Sequence, residues 1–414
     1  LYSRLTASSI SGCLLEPMKV SPEIQDSLEL RFSRLARGMN ERGERVISLG
    51  LGEPSFPTPA PIIEAATDAM RQGLTRYSNP MGLPELREAI CAKLEKDNGI
   101  QTKPGEVLIA PGAKMALSLT LAAVLEPGDE VINVLPCYPS YQPQIRIAEP
   151  SAVIHNLDLR RKDFGLDLDR MAQMLSPRVK AVLINFPHNP TGRMLTAGEL
   201  QGLSDLLATH HCWLISDEIY ERLNFGGLRH WSPGSVETLA ARTITVNGFS
   251  KAYSMTGWRI GYVVAKGPVM KTINKLQQHM NTNVAPFIQK AALAALSIPT
   301  GFLDDYNRRL ARNAKLLADT VAGLSGLRLH PSQGGLFAFL DISGTGFGSD
   351  AFCSGLLERH AVAVVPGANF GSGWDDHVRV TLDSAADDFS EGMRRLSSFA
   401  AEISNTHERH AFRA

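Results

Sequence analysis

The chain is 414 residues long, and its 42 lysines and arginines are matched by 42 aspartates and glutamates, so the formal charge is zero. Apolar types make up 44% and charged types 20%, which excludes a disordered or low-complexity chain. Without a basic excess, a nucleic-acid binder working through bulk charge is excluded too. At about 100–200 residues per domain, the length predicts two or three domains with sizeable cores. Cys13, Cys91, Cys137, Cys212 and Cys353 form no C-x-x-C pair, so neither a zinc site nor a disulfide framework is expected. Reduced thiols in a cytoplasmic protein are the simplest reading. No apolar run approaches the roughly 18–20 residues of a membrane span. Residues 1–17 lack the continuous apolar stretch of a signal peptide.

In chain order, residues 1–60 end in a Gly- and Pro-rich stretch expected to wrap the domains. Residues 107–110 read as a short strand and 114–125 as a helix, with a Pro127-Gly128-Asp129 turn before a strand at 130–134. The rhythm continues with a strand at 179–184, a helix at 197–209, and strands at 212–216, 243–246 and 259–265. Continuous apolar strands alternating with helices predict a mostly parallel sheet covered on both faces. A helix at 284–296 leads to a boundary near 298–301, punctuated by Pro299 and Gly301. Beyond it, helices at 304–324, 351–359 and 389–403 and strands at 336–342 and 377–382 fit a smaller α+β domain. The polar end, 404–414, is expected to fray.

Four short segments place reactive residue types at the ends of predicted strands, where open α/β sheets bind ligands. They are Asn185-Phe186-Pro187-His188-Asn189-Pro190-Thr191-Gly192, Ser216-Asp217-Glu218-Ile219-Tyr220, Gly248-Phe249-Ser250-Lys251 and Thr256-Gly257-Trp258-Arg259. Each alone is weak, because a charged residue at a strand end is more often solvated or capping than catalytic. Together they supply an amine that can capture a carbonyl, a carboxylate for a basic ring nitrogen, and a hydroxyl and a guanidinium for a phosphate.

With these segments in place, the chain resembles the fold-type I, class I/II aminotransferases that depend on pyridoxal 5′-phosphate, from about residue 18 to about 399. The run Ser250-Lys251-Ala252-Tyr253-Ser254-Met255-Thr256-Gly257-Trp258-Arg259-Ile260-Gly261 carries most of the likeness. Asn-Pro-Thr-Gly at 189–192, Asp217-Glu218-Ile219-Tyr220 and His377-Val378-Arg379-Val380 follow the family's order. The resemblance implies an α/β fold, with a large domain (61–299) built on a mostly parallel sheet of the seven-stranded type. A smaller α+β domain would draw on 1–60 and 300–414.

The resemblance makes Lys251 the Schiff-base lysine and the proton-transferring base, and pairs Asp217 with the pyridine nitrogen. Tyr220 and Asn189 would bond the ring oxygen. Ser250, Arg259, Ala113 and Lys114 would hold the phosphate, and Tyr138 would stack on the ring. Arg379 would clamp the substrate α-carboxylate together with the Gly52 backbone and Asn189. Tyr77 would reach the phosphate of a neighbouring subunit, implying a homodimer with shared sites. The implied activity is ping-pong transfer of an amino group from an L-amino acid to a 2-oxo acid, with no metal, nucleic acid or membrane involved.

Glu218 and Glu53 read as structural, His188 as filling a turn, and Phe249, Met255 and Trp258 as core. Three departures from the family stand out: Gly248 where relatives carry a hydroxyl, Tyr138 where Trp is frequent, and 19–24, which differs from the gating segment of aspartate-specific members. A lyase on the same scaffold, of the C–S β-lyase or aminocyclopropane-carboxylate synthase type, is the alternative, since Pro187-His188-Asn189-Pro190 resembles a lyase turn. A regulator that binds the cofactor without turnover is more remote, because no basic recognition helix precedes Gly52.

Overall fold

A computed structural model describes residues 28–411. Cys13, the segment 19–24 and the last three residues lie outside the described residues. Seven strands form the central sheet. In spatial order they are Val107–Ala110, Gly261–Val264, Thr243–Gly248, Trp213–Asp217, Val179–Asn185, Glu130–Leu135 and Val153–Asp158. Pairings among the last five are parallel, whereas Gly261–Val264 runs antiparallel to both neighbours. The strand expected at 259–265 starts only at Gly261, because Arg259 takes a left-handed φ of 53°, which an L residue cannot hold within a strand. The edge strand Val153–Asp158 escaped the sequence reading: it mixes Val153 and Ile154 with His155, Asn156 and Asp158 and is largely solvent-facing.

Helices cover both faces of this sheet, as its apolar strands require. On one face Leu117, Leu121, Ile145, Leu203, Leu207 and Ile273 pack onto the strands. Their helices are Ala113–Val124, Tyr141–Ala148, Ala197–Ala208 and Val269–Met280. On the other, Ala60–Arg71, Pro84–Lys93 and Pro286–Ser297 bury Ile62, Leu86, Ile90 and Ala291 against Ile109, Tyr262 and Val264. Each fully buried Leu or Ile contributes about 1.5–3 kcal/mol. The strand ends are therefore held far more firmly than the few polar side chains mounted on them could achieve alone.

A further core joins the two ends of the chain. Phe32, Ile47 and Leu49 pack with Leu310, Leu317, Phe337, Val378, Phe389 and Phe399. Strand Ile47–Ser48 pairs in parallel with Val362–Ala363. An antiparallel group runs Val365–Pro366, His377–Thr381, Phe337–Asp341, Arg328–Leu329. Helix Gly301–Ala322 takes Gly301 as its first residue, so the punctuation at 298–301 lies directly at the helix start. The last helix, Ala386–Ala411, passes the expected stop at 403, having no proline and only Gly392 to interrupt it. Among the described residues, no helix is long and apolar enough to cross a membrane.

Candidate active site

Three of the reactive segments converge because they end parallel neighbouring strands, and the fourth joins them because it leads into the adjacent antiparallel strand. Sheet register puts Asn185 opposite Asp217, each the last residue of its strand. Asn185 Nδ2 donates to the Asp217 backbone carbonyl at 2.8 Å, and its Oδ1 accepts the Asn189 amide at 3.0 Å. One buried amide thus fixes the positions of two predicted site residues. The Asp217 carboxylate, itself buried, accepts from Tyr141 Oη at 2.8 Å and from the Ile219 amide at 3.1 Å. Burial pushes its pKa up to about 6, outweighing those two hydrogen bonds and the pull of Lys251, while neighbouring Glu218 adds to the rise.

Lys251 and Asp217 face a common cavity of about 160 Å³. Ala113, Lys114, Tyr138, Asn189, Tyr220, Ser250 and Arg259 line it with them. The Lys251 ammonium lies 6.0 Å from the Tyr220 ring centroid and donates to the Gly52 carbonyl. Tyr138 meets Tyr141 edge-on at 5.6 Å, and the Lys114 ammonium stands 5.4 Å from the Tyr138 ring centroid.

One wall is built for an anion. Helix Ala113–Val124 opens at Gly112 with no side-chain cap, so its first amides and its positive dipole end face whatever lies there. Arg259 closes on the same point: a Cβ at Gly112, where φ is +84°, would come within 2.7 Å of Arg259 Nη2. A Cβ at Gly261 would meet the Ala113 nitrogen at 2.5 Å. Gly112 is therefore required by its left-handed φ, and Gly261 by the close approach of backbone. Gly248 has a similar cause, since a side chain there would press on the backbone of Gly261 and Ile260 at 3.0 and 3.1 Å. A hydroxyl-bearing side chain at that position would need these neighbours to give way by a few tenths of an ångström.

Arg379 is 1% exposed and lies outside the cavity lining, beside Asn189. Its Nη1 donates to Asn189 Oδ1 at 3.2 Å and its Nη2 to the Gly50 carbonyl at 2.8 Å. The guanidinium carbon is 4.0 Å from the Phe337 ring centroid and 4.9 Å from that of Phe370. Two aromatic faces hold the cation's plane in one orientation. Gly52 reaches the site only through its carbonyl, and Tyr77 is 87% exposed and outside the cavity lining.

Tyr141, Asn185, Gln144 and Thr256 also line the cavity and were not expected there. His188 is buried, bonds Thr191 Oγ1 at 2.8 Å, and burial drops its pKa to about 3. It is a neutral turn residue, as the sequence suggested.

Behind Asp217, Glu218 accepts from Ser216 Oγ at 3.0 Å, from Ser232 and from His230 Nε2 at 2.9 Å. Glu221 accepts from Asn98 Nδ2 at 2.6 Å and from Lys93. Burial pushes Glu221 upward, but Lys93 and then His230 overcome it and hold the carboxyl at about 2. Glu218, Glu221 and His230 offer ligand atoms within 4.8 Å of one another, yet the Lys93 ammonium already takes the place of a cation there. Glu218 is structural, tying the turn after Asp217 to its surroundings.

A family model described as aminotransferase class I and II matches residues 44–396. The chain is 35% identical to an aspartate aminotransferase of Geobacillus stearothermophilus, covering 90% of this chain and 96% of that protein. It is also 35% identical to an arginine–pyruvate transaminase of Pseudomonas aeruginosa, covering 91% and 94%. Among solved structures it is similar to the aromatic aminotransferase of Pyrococcus horikoshii, with a TM-score of 0.84 and 36% identity over 89% of this chain and 99% of that one. A likeness that spans both ends of the chain, including the strand-end segments and the arginine beside them, leaves one assignment: the chain belongs to the class I and II aminotransferases.

Proposed function

We propose that this aminotransferase uses pyridoxal 5′-phosphate and passes the amino group of an L-amino acid to a 2-oxo acid in two half-reactions at one site. The observation that carries the reading is the Lys251 amine and the buried Asp217 carboxylate sharing one cavity beside an uncapped helix start. The donor set fits the cofactor. Asp217, which burial destabilises as an anion, suits a protonated ring nitrogen. The amides of Ala113 and Lys114, with Ser250 and Arg259, suit a phosphate dianion. Tyr220 and Asn189 would bond the ring oxygen, Tyr138 would cover the ring face, and Lys251 would hold the group through its amine.

When bound, the cofactor supplies an aldehyde that captures the amino group and a ring that takes up the electrons left at the substrate α-carbon. This chain's residues do the rest. Arg379, preset by Asn189, Gly50 and two aromatic rings, orients the α-carboxylate. Lys251 removes the proton from the α-carbon and returns it one position along. Asp217, braced by Tyr141 and the Ile219 amide, holds a proton at the nitrogen facing it. Lys114 at the cavity wall favours acidic or neutral side chains over a cationic one.

The 87% exposure of Tyr77 supports a homodimer in which this ring serves the partner's site. The core that joins Phe32, Ile47 and Leu49 to Leu310, Phe337 and Phe389 supports the proposed division into 61–299 and a unit built from 1–60 and 300–414. Phe339, Val365, Phe370 and Trp374 pack onto the core of the central sheet and tie the two together. The absence of a membrane-spanning helix among the described residues is compatible with the proposed cytoplasmic location. The test is a half-reaction panel: amino acids are mixed singly with purified cofactor-loaded protein while its visible absorbance band is followed. Loss of the band with release of the matching 2-oxo acid is expected. Pyruvate and ammonia formed without any oxo-acid acceptor would instead identify a lyase.

A further inference from the structure

Residues 50–58 form a strap across the site that has no partner strand of its own. At its start, Leu49 is stitched by backbone bonds to Ala363 and Thr381, both at 2.8 Å. Between residues 50 and 53 the strap only receives bonds from the site: Gly50 takes Arg379 Nη2, Gly52 takes Lys251, and Glu53 takes Thr256 Oγ1. The next firm attachment is at Ser55. Its amide and hydroxyl each donate to Asp383 at 2.8 Å. The Asp383 carboxylate also accepts from Tyr306 Oη at 2.6 Å and from Arg309 Nη2 at 2.7 Å, and Arg309 reaches Ser55 Oγ at 2.6 Å. The Asp383 side chain is fully buried, and Phe56 packs edge-on against Tyr306 at 4.7 Å. A buried carboxylate saturated by four donors, one of them charged, is a strong and directional anchor.

We infer that Asp383 is a positioning residue for the substrate carboxylate site: it pins the strap at Ser55, so that Gly50 and Gly52 stay where Arg379 and Lys251 need them. The inference rests on the proposed role of Arg379. A span pinned at Leu49 and Ser55 has little freedom between. With the second pin removed, the next attachments lie at Phe56, whose carbonyl accepts from Ser254 Oγ, and at Thr58, whose hydroxyl donates to the Ser254 carbonyl and accepts from Trp258 Nε1 at 3.1 Å. The span that carries the two carbonyls then lengthens. Asp383 does not line the cavity, and because it closely follows the strand that carries Arg379, the Ser55 variant is the one that isolates the strap.

Steady-state kinetics on the cofactor-loaded enzyme test this. Asp383→Asn is expected to raise KM for both the amino acid and the oxo acid about tenfold, since misplacement of a positioning group by an ångström can cost about 10². Its kcat should change less than threefold, with the visible band and cofactor retention unaltered. Ser55→Ala, which keeps the buried carboxylate, is expected to raise KM about threefold. Moving the charge in Asp383→Ala/Ser55→Asp, within reach of Arg309, should bring KM back toward the parent value. Unchanged KM in Ser55→Ala overturns the inference even if Asp383→Asn fails to fold, and so does a loss of cofactor that matches the rise in KM. Arg379→Lys separates the two ideas. If it raises KM while the Asp383 and Ser55 variants do not, only the strap inference fails; if it too leaves KM unchanged, the carboxylate reading itself fails.

Discussion

The two halves of the site are built in opposite ways. Around Asp217, most groups sit on or next to strand ends of the central sheet, and register alone brings Asn185 and Asp217 together. Around Arg379, the contacts join residues remote in sequence: Gly50 with Arg379, Ser55 with Asp383, and Asn189 with Arg379. The first half inherits its rigidity from a large apolar core. The second has an apolar core of its own, but its polar groups are placed by single hydrogen bonds, each worth about 0.5–1.5 kcal/mol net when neutral and more when charged. The lesson is that one half should tolerate change in its surroundings and fail only at its reacting groups, whereas the other should respond in graded steps to residues some distance away.

The largest expected effect lies in the first half. Lys251→Ala should lower amino-group transfer by at least about 10⁴-fold, the upper range for a group serving in both proton transfer and covalent capture, as measured by oxo-acid release in single turnover. A residual rate near that of the parent would break the comparison at its root. Next comes Arg379→Lys, which keeps the charge but loses the planar fork. A rise in KM of about 10–100-fold, with kcat changed far less, is expected for a lost bidentate pair.

Asp217 sharpens the contrast through stability. Its pKa in the folded protein is raised, to about 6 from 3.8, so the buried anion opposes folding. The stability associated with its proton is fully present below about pH 4 and is lost as pH rises through about 6. At 1.36 kcal/mol per pKa unit this amounts to about 3 kcal/mol. Asp217→Asn in cofactor-free protein should therefore be more stable at neutral pH, with a flatter unfolding midpoint between pH 4 and 6. A variant that unfolds earlier than the parent at pH 7 would show that the carboxylate is not the strained element. The smallest effect is expected at the rim. Lys114→Ala should raise the kcat/KM for cationic relative to neutral amino acids by about three- to tenfold, a small effect because an exposed cation is well screened.

The same contrast explains what could be read from sequence. Lys251, Asp217, Asn189 and Arg259 stand in compact segments at the ends of apolar runs, so strand prediction alone brings them together. Helices such as Ala113–Val124 and Ala197–Ala208 lie within a residue of their expected bounds, because apolar periodicity and a capping Thr196 mark them. The amphipathic edge strand Val153–Asp158 was illegible because half its residues face water. Tyr141 was missed because its only task is to hold Asp217, and a lone tyrosine at a helix start has many other uses. Asp383 and Ser55 were illegible for a different reason, since no local pattern announces a bond between residues so far apart in the chain.

Ile47 lies beside Val362 in a parallel ladder, so the early segment leading to Gly50 has no partner until almost the whole chain has left the ribosome. The central sheet, complete by Val264, can close before then. During its making the molecule thus acquires the proposed cofactor floor first and the proposed substrate grip last, and a chain cut short before residue 362 would have the one without the other.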